Sequence, residues 1–176
     1  MSMNIVLIGY RGTGKSTVAD LLAHKLQRNV VHMDREIVAR TGASIPDIVA
    51  AYGWEHFRDI ESELVQELAR RNDFIIDAGG GVVVRQSNIQ LLRNTGRLFW
   101  LKARPETIAE RIRNDTERPS LSGVKTFLEE IEDILTERTP LYQQAADYEL
   151  DTDRASPEEI AEEIEGMVQQ DSRFKV

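Results

Sequence analysis

The segment Gly9-Tyr10-Arg11-Gly12-Thr13-Gly14-Lys15-Ser16 restricts the possible folds more than any other part of the chain. It fits the spacing G-x-x-x-x-G-K-[ST] and lies where one hydrophobic period gives way to another. Before it, Asn4-Ile5-Val6-Leu7-Ile8 is an apolar run of strand length; after it, Val18, Leu21, Leu22 and Leu26 recur at helical spacing. A strand that turns through glycines into a helix aims successive backbone N–H groups into the loop, and the helix N-terminus adds partial positive charge. Such a loop cradles phosphate. Gly12, Thr13, Gly14, Lys15, Ser16 and Thr17 are its expected nucleotide contacts, with Lys15 reaching the β- and γ-phosphates and the Ser16 hydroxyl binding Mg²⁺. A turn that only caps a helix would account for one or two of the glycines, but not for Lys15-Ser16 at this offset.

The strand–helix alternation continues. Val30-Val31-His32-Met33, Phe74 to Asp77, Leu98 to Leu101 and Tyr148 to Leu150 read as further strands. Between them lie a helical region to Arg71 broken by Gly42, Pro46 and Gly53, a helix around Asn88 to Arg93 and another from Pro105 to about Arg113. A helix from about Lys125 to Glu137 precedes the segment RTPLYQQAA. The last helix has Ser156 as N-cap, Pro157 at its first position and Glu159 at its third, and the tail 171–176 is expected to fray. Strands joined through helices imply right-handed crossovers and a parallel five-stranded sheet covered on both faces, an α/β fold with ligands at the carboxyl ends of the strands.

With 176 residues, 41% hydrophobic and 30% charged, the chain suits a single domain over 1–170. Such a domain buries roughly 70% of the surface exposed when unfolded. A formal net charge of −8 and the lack of a Lys/Arg block argue against nucleic acid as a partner. The absence of cysteine excludes disulfides and thiolate metal sites, and the apolar run at Ile5 to Ile8 is too short for a leader or a membrane span. A cytoplasmic monomer without membrane attachment is expected.

GTPases, ATPase motors and small-molecule kinases all use this kind of loop. The chain has no guanine-reading NKxD segment, and Asn114 to Gly123, NDTERPSLSG, is a polar loop of the kind that closes over substrates, a lid at about 114–123. Arg118 within it is the expected lid cation on the phosphoryl group in transfer.

The segments GYRGTGKST, MDREIVARTGASIPDI, EHFRDIE, GGG, ERPSL and RTPLY together resemble the shikimate kinase family over essentially the whole chain. The resemblance implies a three-layer α/β/α P-loop kinase fold of the nucleoside monophosphate kinase type. It also implies ATP-dependent phosphorylation of the 3-hydroxyl of shikimate, with Mg²⁺. It implies that Asp34 contacts the reacting hydroxyl, that Arg58 and Arg138 bind the substrate carboxylate, and that Gly79, Gly80 and Gly81 let the substrate ring approach. Adenine would lie between Arg111 and the segment near Pro157, with Arg118 on the phosphates. The residue chemistry agrees: a polyhydroxylated acid needs cations on its carboxylate and an acceptor for its hydroxyl. Taken singly, Arg58 also reads as a solvated helix charge and Asp34 as a helix cap.

One departure stands out. The family's Asp-x-Asp at the end of the second strand reads His32-Met33-Asp34 here, and imidazole suits Mg²⁺ poorly. Asp77, two places before the glycines, stands where the family has a small or hydroxyl residue. The pair suggests that the metal carboxylate has moved from the second strand to the third, with Asp77 opposite Ser16. His32 either hydrogen-bonds that carboxylate or is a structural strand-end histidine. Two rival readings are a kinase of the same fold acting on another hydroxy acid or sugar acid, and a nucleotide-binding module whose catalysis has decayed.

Overall fold

A computed structural model describes residues 3–113 and 126–174. Strand β1 (Asn4–Ile8) leads into α1 (Lys15–Leu26), β2 (Asn29–His32), α2 (Met33–Thr41), α3 (Ile45–Leu68) and β3 (Phe74–Asp77). A 3₁₀ turn at Val82–Val84, α4 (Gln86–Thr95), β4 (Gly96–Lys102) and α5 (Pro105–Ile112) follow. The described chain resumes before α6 (Phe127–Ala145), then β5 (Tyr148–Asp151) and α7 (Pro157–Gln170).

The five strands form one parallel sheet in the order β2-β3-β1-β4-β5. Alternation along each strand divides the core, since successive side chains point to opposite faces. Val6, Ile8, Ile76, Leu98 and Trp100 pack with α3, α4 and α6 residues such as Phe57, Leu64, Leu92 and Tyr142. Ile5, Leu7, Ile75, Phe99 and Leu101 pack on the other face with Val18, Leu22, Ile160 and Ile164 from α1 and α7. Each fully buried aliphatic or aromatic side chain contributes about 1.5–3 kcal/mol. An exposed pair such as Arg40–Glu36 contributes about 0–1 kcal/mol. The two apolar layers therefore hold the fold, and surface charge does not. The chain builds the β2–β3 side of β1 first and the β4–β5 side afterwards, so the crevice of this switch opens at the carboxyl end of β1, where the glycine loop begins.

Three elements differ from the sequence expectation. Strand β2 ends at His32, and Met33 opens α2 instead of closing the strand; its side chain is fully buried, so the chain turns there to keep it in the core. Helix α6 runs from Phe127 through Pro140 to Ala145 without ending at Glu137. Pro140 cannot donate to the carbonyl four residues earlier. Burial of Ile131, Tyr142 and Ala145 on either side of it outweighs that loss. The tail does not fray at once: Ser172–Phe174 form a 3₁₀ turn and Phe174 is buried in the α1/α7 layer. No helix among the described residues is long and apolar enough to cross a membrane.

Candidate active site

The glycine loop is shaped by its backbone. Gly14 is the N-cap of α1 at φ 91° and ψ 10°, a left-handed conformation that a side chain would strain, and it directs the first amides of α1 toward the crevice. The Thr13 hydroxyl donates to the Tyr10 carbonyl at 2.8 Å, and Lys15 Nζ donates to the same oxygen at 3.0 Å. Lys15 is thus folded back along the loop, 8% exposed, with its ammonium at the inner edge.

The crevice is a cavity of about 440 Å³ lined by Gly12, Gly14, Lys15, Ser16, Thr17, His32, Asp34, Asp77, Gly79 and Gly80, together with Arg11 and Arg35. Parallel pairing places His32 directly across from Asp77 at the ends of β2 and β3. The Ser16 hydroxyl donates to Asp77 Oδ2 at 2.6 Å, and His32 Nδ1 lies 2.8 Å from the same oxygen. His32 Nε2 lies 2.8 Å from Asp20 Oδ1. The hydrogen bond to Asp77 raises the His32 pKa above its ordinary value against the effect of burial, and Asp20 adds to the rise. For Asp77, burial pushes upward, but the His32 hydrogen bond, the Lys15 charge and the Ser16 hydroxyl outweigh it and hold the carboxyl below the usual range. The carboxylate stays ionised, and both His32 nitrogens are occupied by acids, leaving no lone pair for a cation. Paired Ser16 and Asp77 oxygens suit Mg²⁺, which takes oxygen ligands and keeps several waters. Among the described residues there is no cluster of three or more His, Cys, Asp or Glu side chains able to hold a metal. A cation bound through one or two protein oxygens and substrate phosphates needs none.

The three glycines form the other wall. A Cβ on Gly79 would lie 2.9 Å from both Asp34 Oδ1 and Glu61 Oε1, and one on Gly81 would overlap the Arg58 guanidinium. The Gly80 carbonyl accepts from Arg138 Nη1 at 3.3 Å and from the Tyr142 hydroxyl. Burial pushes the Tyr142 hydroxyl up to about 12, so it remains a donor. Arg138 and Tyr142 are four apart on α6 and so share the face that meets this turn. Arg58 Nη1 donates to Glu61 Oε2 at 2.8 Å, and both side chains are buried. Burial raises the Glu61 pKa while Arg58 opposes the rise. Asp34, Arg58 and Arg138, distant in sequence, thus meet at one glycine turn.

Arg111 closes a second cavity of about 330 Å³, shared with Gly12, Thr13, Gly14, Thr17, Thr152 and Pro157. Its guanidinium donates to the carbonyls of Gly12 at 3.2 Å and Thr152 at 2.6 Å. The two cavities lie on either side of the glycine loop, both touching Gly12, Gly14 and Thr17. Arg118 and the expected lid at 114–123 lie outside the described residues.

Sequence reasoning missed three contributors. Glu61 could have been found from its i,i+3 spacing to Arg58 on one helix. Tyr142 was legible only as part of a motif, and Asp20 had no signal, since its bond to His32 depends on how α1 lies against β2.

The family model for shikimate kinase matches residues 11–169. A shikimate kinase of Thermodesulfovibrio yellowstonii is 42% identical over 161 residues, covering 92% of each chain. One from Dehalococcoides mccartyi is 39% identical over 162 residues, covering 92% of this chain and 91% of that one. The structure of shikimate kinase from Acinetobacter baumannii in complex with shikimate superposes with a TM-score of 0.92 at 31% identity, covering 98% of this chain and 96% of that one. Phosphate loop, glycine turn and paired arginines therefore stand in a frame shared along nearly the whole chain, and the chain belongs to the shikimate kinase family.

Proposed function

We propose that this chain transfers the terminal phosphoryl group of ATP to the 3-hydroxyl of shikimate. The observation that carries this reading is the convergence of Asp34, Arg58 and Arg138 on the glycine turn that faces Lys15 and Ser16 across the crevice. Arg58 and Arg138 hold the substrate carboxylate, which fixes the ring so that its 3-hydroxyl faces the phosphates. Asp34 orients that hydroxyl and takes its proton as the new O–P bond forms and ADP leaves. Lys15 exchanges the Tyr10 carbonyl for a phosphate oxygen and balances charge on the group in transfer. Adenine occupies the cavity between Arg111 and Pro157. Ser16 and Asp77 hold Mg²⁺, which when bound neutralises the phosphate charge. Arg118, outside the described residues, completes the set as a further cation on the phosphates.

ADP release measured with shikimate, gluconate and nucleoside monophosphates tests the substrate. Turnover with shikimate alone is expected, and no response to shikimate overturns the reading. For the metal, Asp77→Asn should lower Mg²⁺-dependent kcat roughly 10–100-fold while KM for shikimate holds. Near-normal kinetics would remove Asp77 from the site.

A further inference from the structure

Ser16 and Asp20 are four residues apart on α1 and so project from one face of the helix, toward the ends of β2 and β3. Opposite them, strand pairing sets His32 beside Asp77. The side chains close a ring: Ser16 Oγ to Asp77 Oδ2 at 2.6 Å, Asp77 Oδ2 to His32 Nδ1 at 2.8 Å, and His32 Nε2 to Asp20 Oδ1 at 2.8 Å, with one turn of α1 joining Asp20 back to Ser16. His32 is nearly buried, its side chain 11% exposed, whereas that of Asp20 is 55% exposed. A structural strand-end histidine needs only one partner. Here both ring nitrogens face carboxylates, and one of those is the oxygen that also meets Ser16.

We propose that Asp20 and His32 form a positioning pair that fixes the Asp77 carboxylate for the metal in this chain. Asp20 sets the plane of the imidazole from the solvent side. His32 Nδ1–H then pins Asp77 Oδ2 against Ser16 at the wall of the crevice. The exchange of an acid for a histidine on β2 is in this view the complement of the acid on β3: Asp77 alone at a strand end could rotate, and the imidazole removes that freedom. Outer partners of this kind hold metal-site carboxylates in place, and their loss typically weakens metal binding roughly 10–100-fold. His32 acts through Asp77 and Asp20 acts through His32, so both are positioning residues. The inference rests on the reading of Asp77 as the metal carboxylate.

The test is Mn²⁺ affinity in the presence of ADP, read by electron paramagnetic resonance on the full chain, with metal-free ADP affinity and the melting curve as controls on the fold. Asp77→Asn tests the underlying reading and His32→Ala the inference; each should weaken Mn²⁺ binding roughly 10–100-fold. His32→Asn, whose amide places a donor near the position of Nδ1, should recover most of the loss. Asp20→Asn, at an exposed position, should weaken binding in the same direction by less. The transposed pair His32→Asp with Asp77→Ser should bind Mn²⁺ more tightly than Asp77→Ser alone, because the acid returns to the neighbouring strand end. If Asp77→Asn loses affinity while His32→Ala keeps it, the positioning role is overturned and the metal reading stands. Equal losses in His32→Ala and His32→Asn with intact ADP binding would also overturn it. Unchanged Mn²⁺ affinity in Asp77→Asn removes the metal reading and the inference together.

Discussion

Gly79 and Gly81 show how a side chain's absence can be used twice. Three successive glycines were expected to let a substrate ring come close, but the structure first uses the space for the chain's own groups. Asp34 and Glu61 crowd against Gly79, and the Arg58 guanidinium lies where a Gly81 Cβ would be. Gly81→Ala should therefore act by displacing Arg58. A shift of this kind costs about 1–3 kcal/mol, roughly 5–150-fold in kcat/KM. The loss should fall mainly on KM for shikimate, with KM for ATP changed little; steady-state kinetics in both substrates checks it. Glu61 has the opposite risk. Its partner Arg58 is 7% exposed, so Glu61→Ala strands a buried cation and should destabilise the fold by about 3–5 kcal/mol in urea unfolding, whereas Glu61→Gln keeps an acceptor and should cost less.

At the scale of elements, α3 is two helical pieces joined at Gly53, whose φ of 84° and ψ of 170° are far from helical. Nothing lies within 4 Å of a Cβ built there, so space is not the reason for glycine. The backbone is: that region of φ/ψ is essentially closed to other residues. The break lets the second piece start anew, carrying Phe57 into the core and Arg58 to the glycine turn. Gly53→Ala should cost about 1–3 kcal/mol, read from the urea midpoint, by strain alone. Helix α6 makes the converse case, since a proline that would ordinarily end a helix is carried through. Arg138 before it and Tyr142 after it both bond the Gly80 carbonyl, and that shared anchor needs one continuous helix.

Over the whole molecule, the last turn is tied back by Asp171. Its carboxylate accepts from Arg173 Nε at 2.7 Å and Nη2 at 2.6 Å, and from the Tyr148 hydroxyl at 3.1 Å, joining the tail to β5 while Phe174 fills the layer behind. The Arg173 hydrogen bonds hold this carboxyl well below its ordinary range, outweighing the effect of burial. A depressed folded-state pKa stabilises above the unfolded value of about 4, and the contribution is lost as pH falls toward the folded value. Asp77 acts with the same sign. Melting temperature should therefore fall as pH drops from about 4 toward 2, and less steeply in Asp171→Asn; calorimetry across that window checks it. A variant as pH-sensitive as the parent would remove Asp171 from the account.

What the sequence determined by itself is whatever repeats locally. The strand at Asn4 to Ile8, the glycine loop and the capping box at Ser156 and Glu159 are set by neighbours within a few residues, and the structure keeps them. Asp34, Arg58 and Arg138 are joined to the three glycines by the family resemblance, and no local signal says how one glycine turn gathers their side chains. That was decided by the sheet. With β1 between β3 and β4, residues such as Arg111 and Gly12, 99 positions apart, become hydrogen-bond partners. Two odd residues in the sequence, His32 and Asp77, carry the proposal that the metal carboxylate has moved from β2 to β3. Their register across β2 and β3, and the seating of α1 that brings Asp20 to the far side of the ring, belong to tertiary packing alone, because no short-range periodicity encodes which helix lies over which strand end.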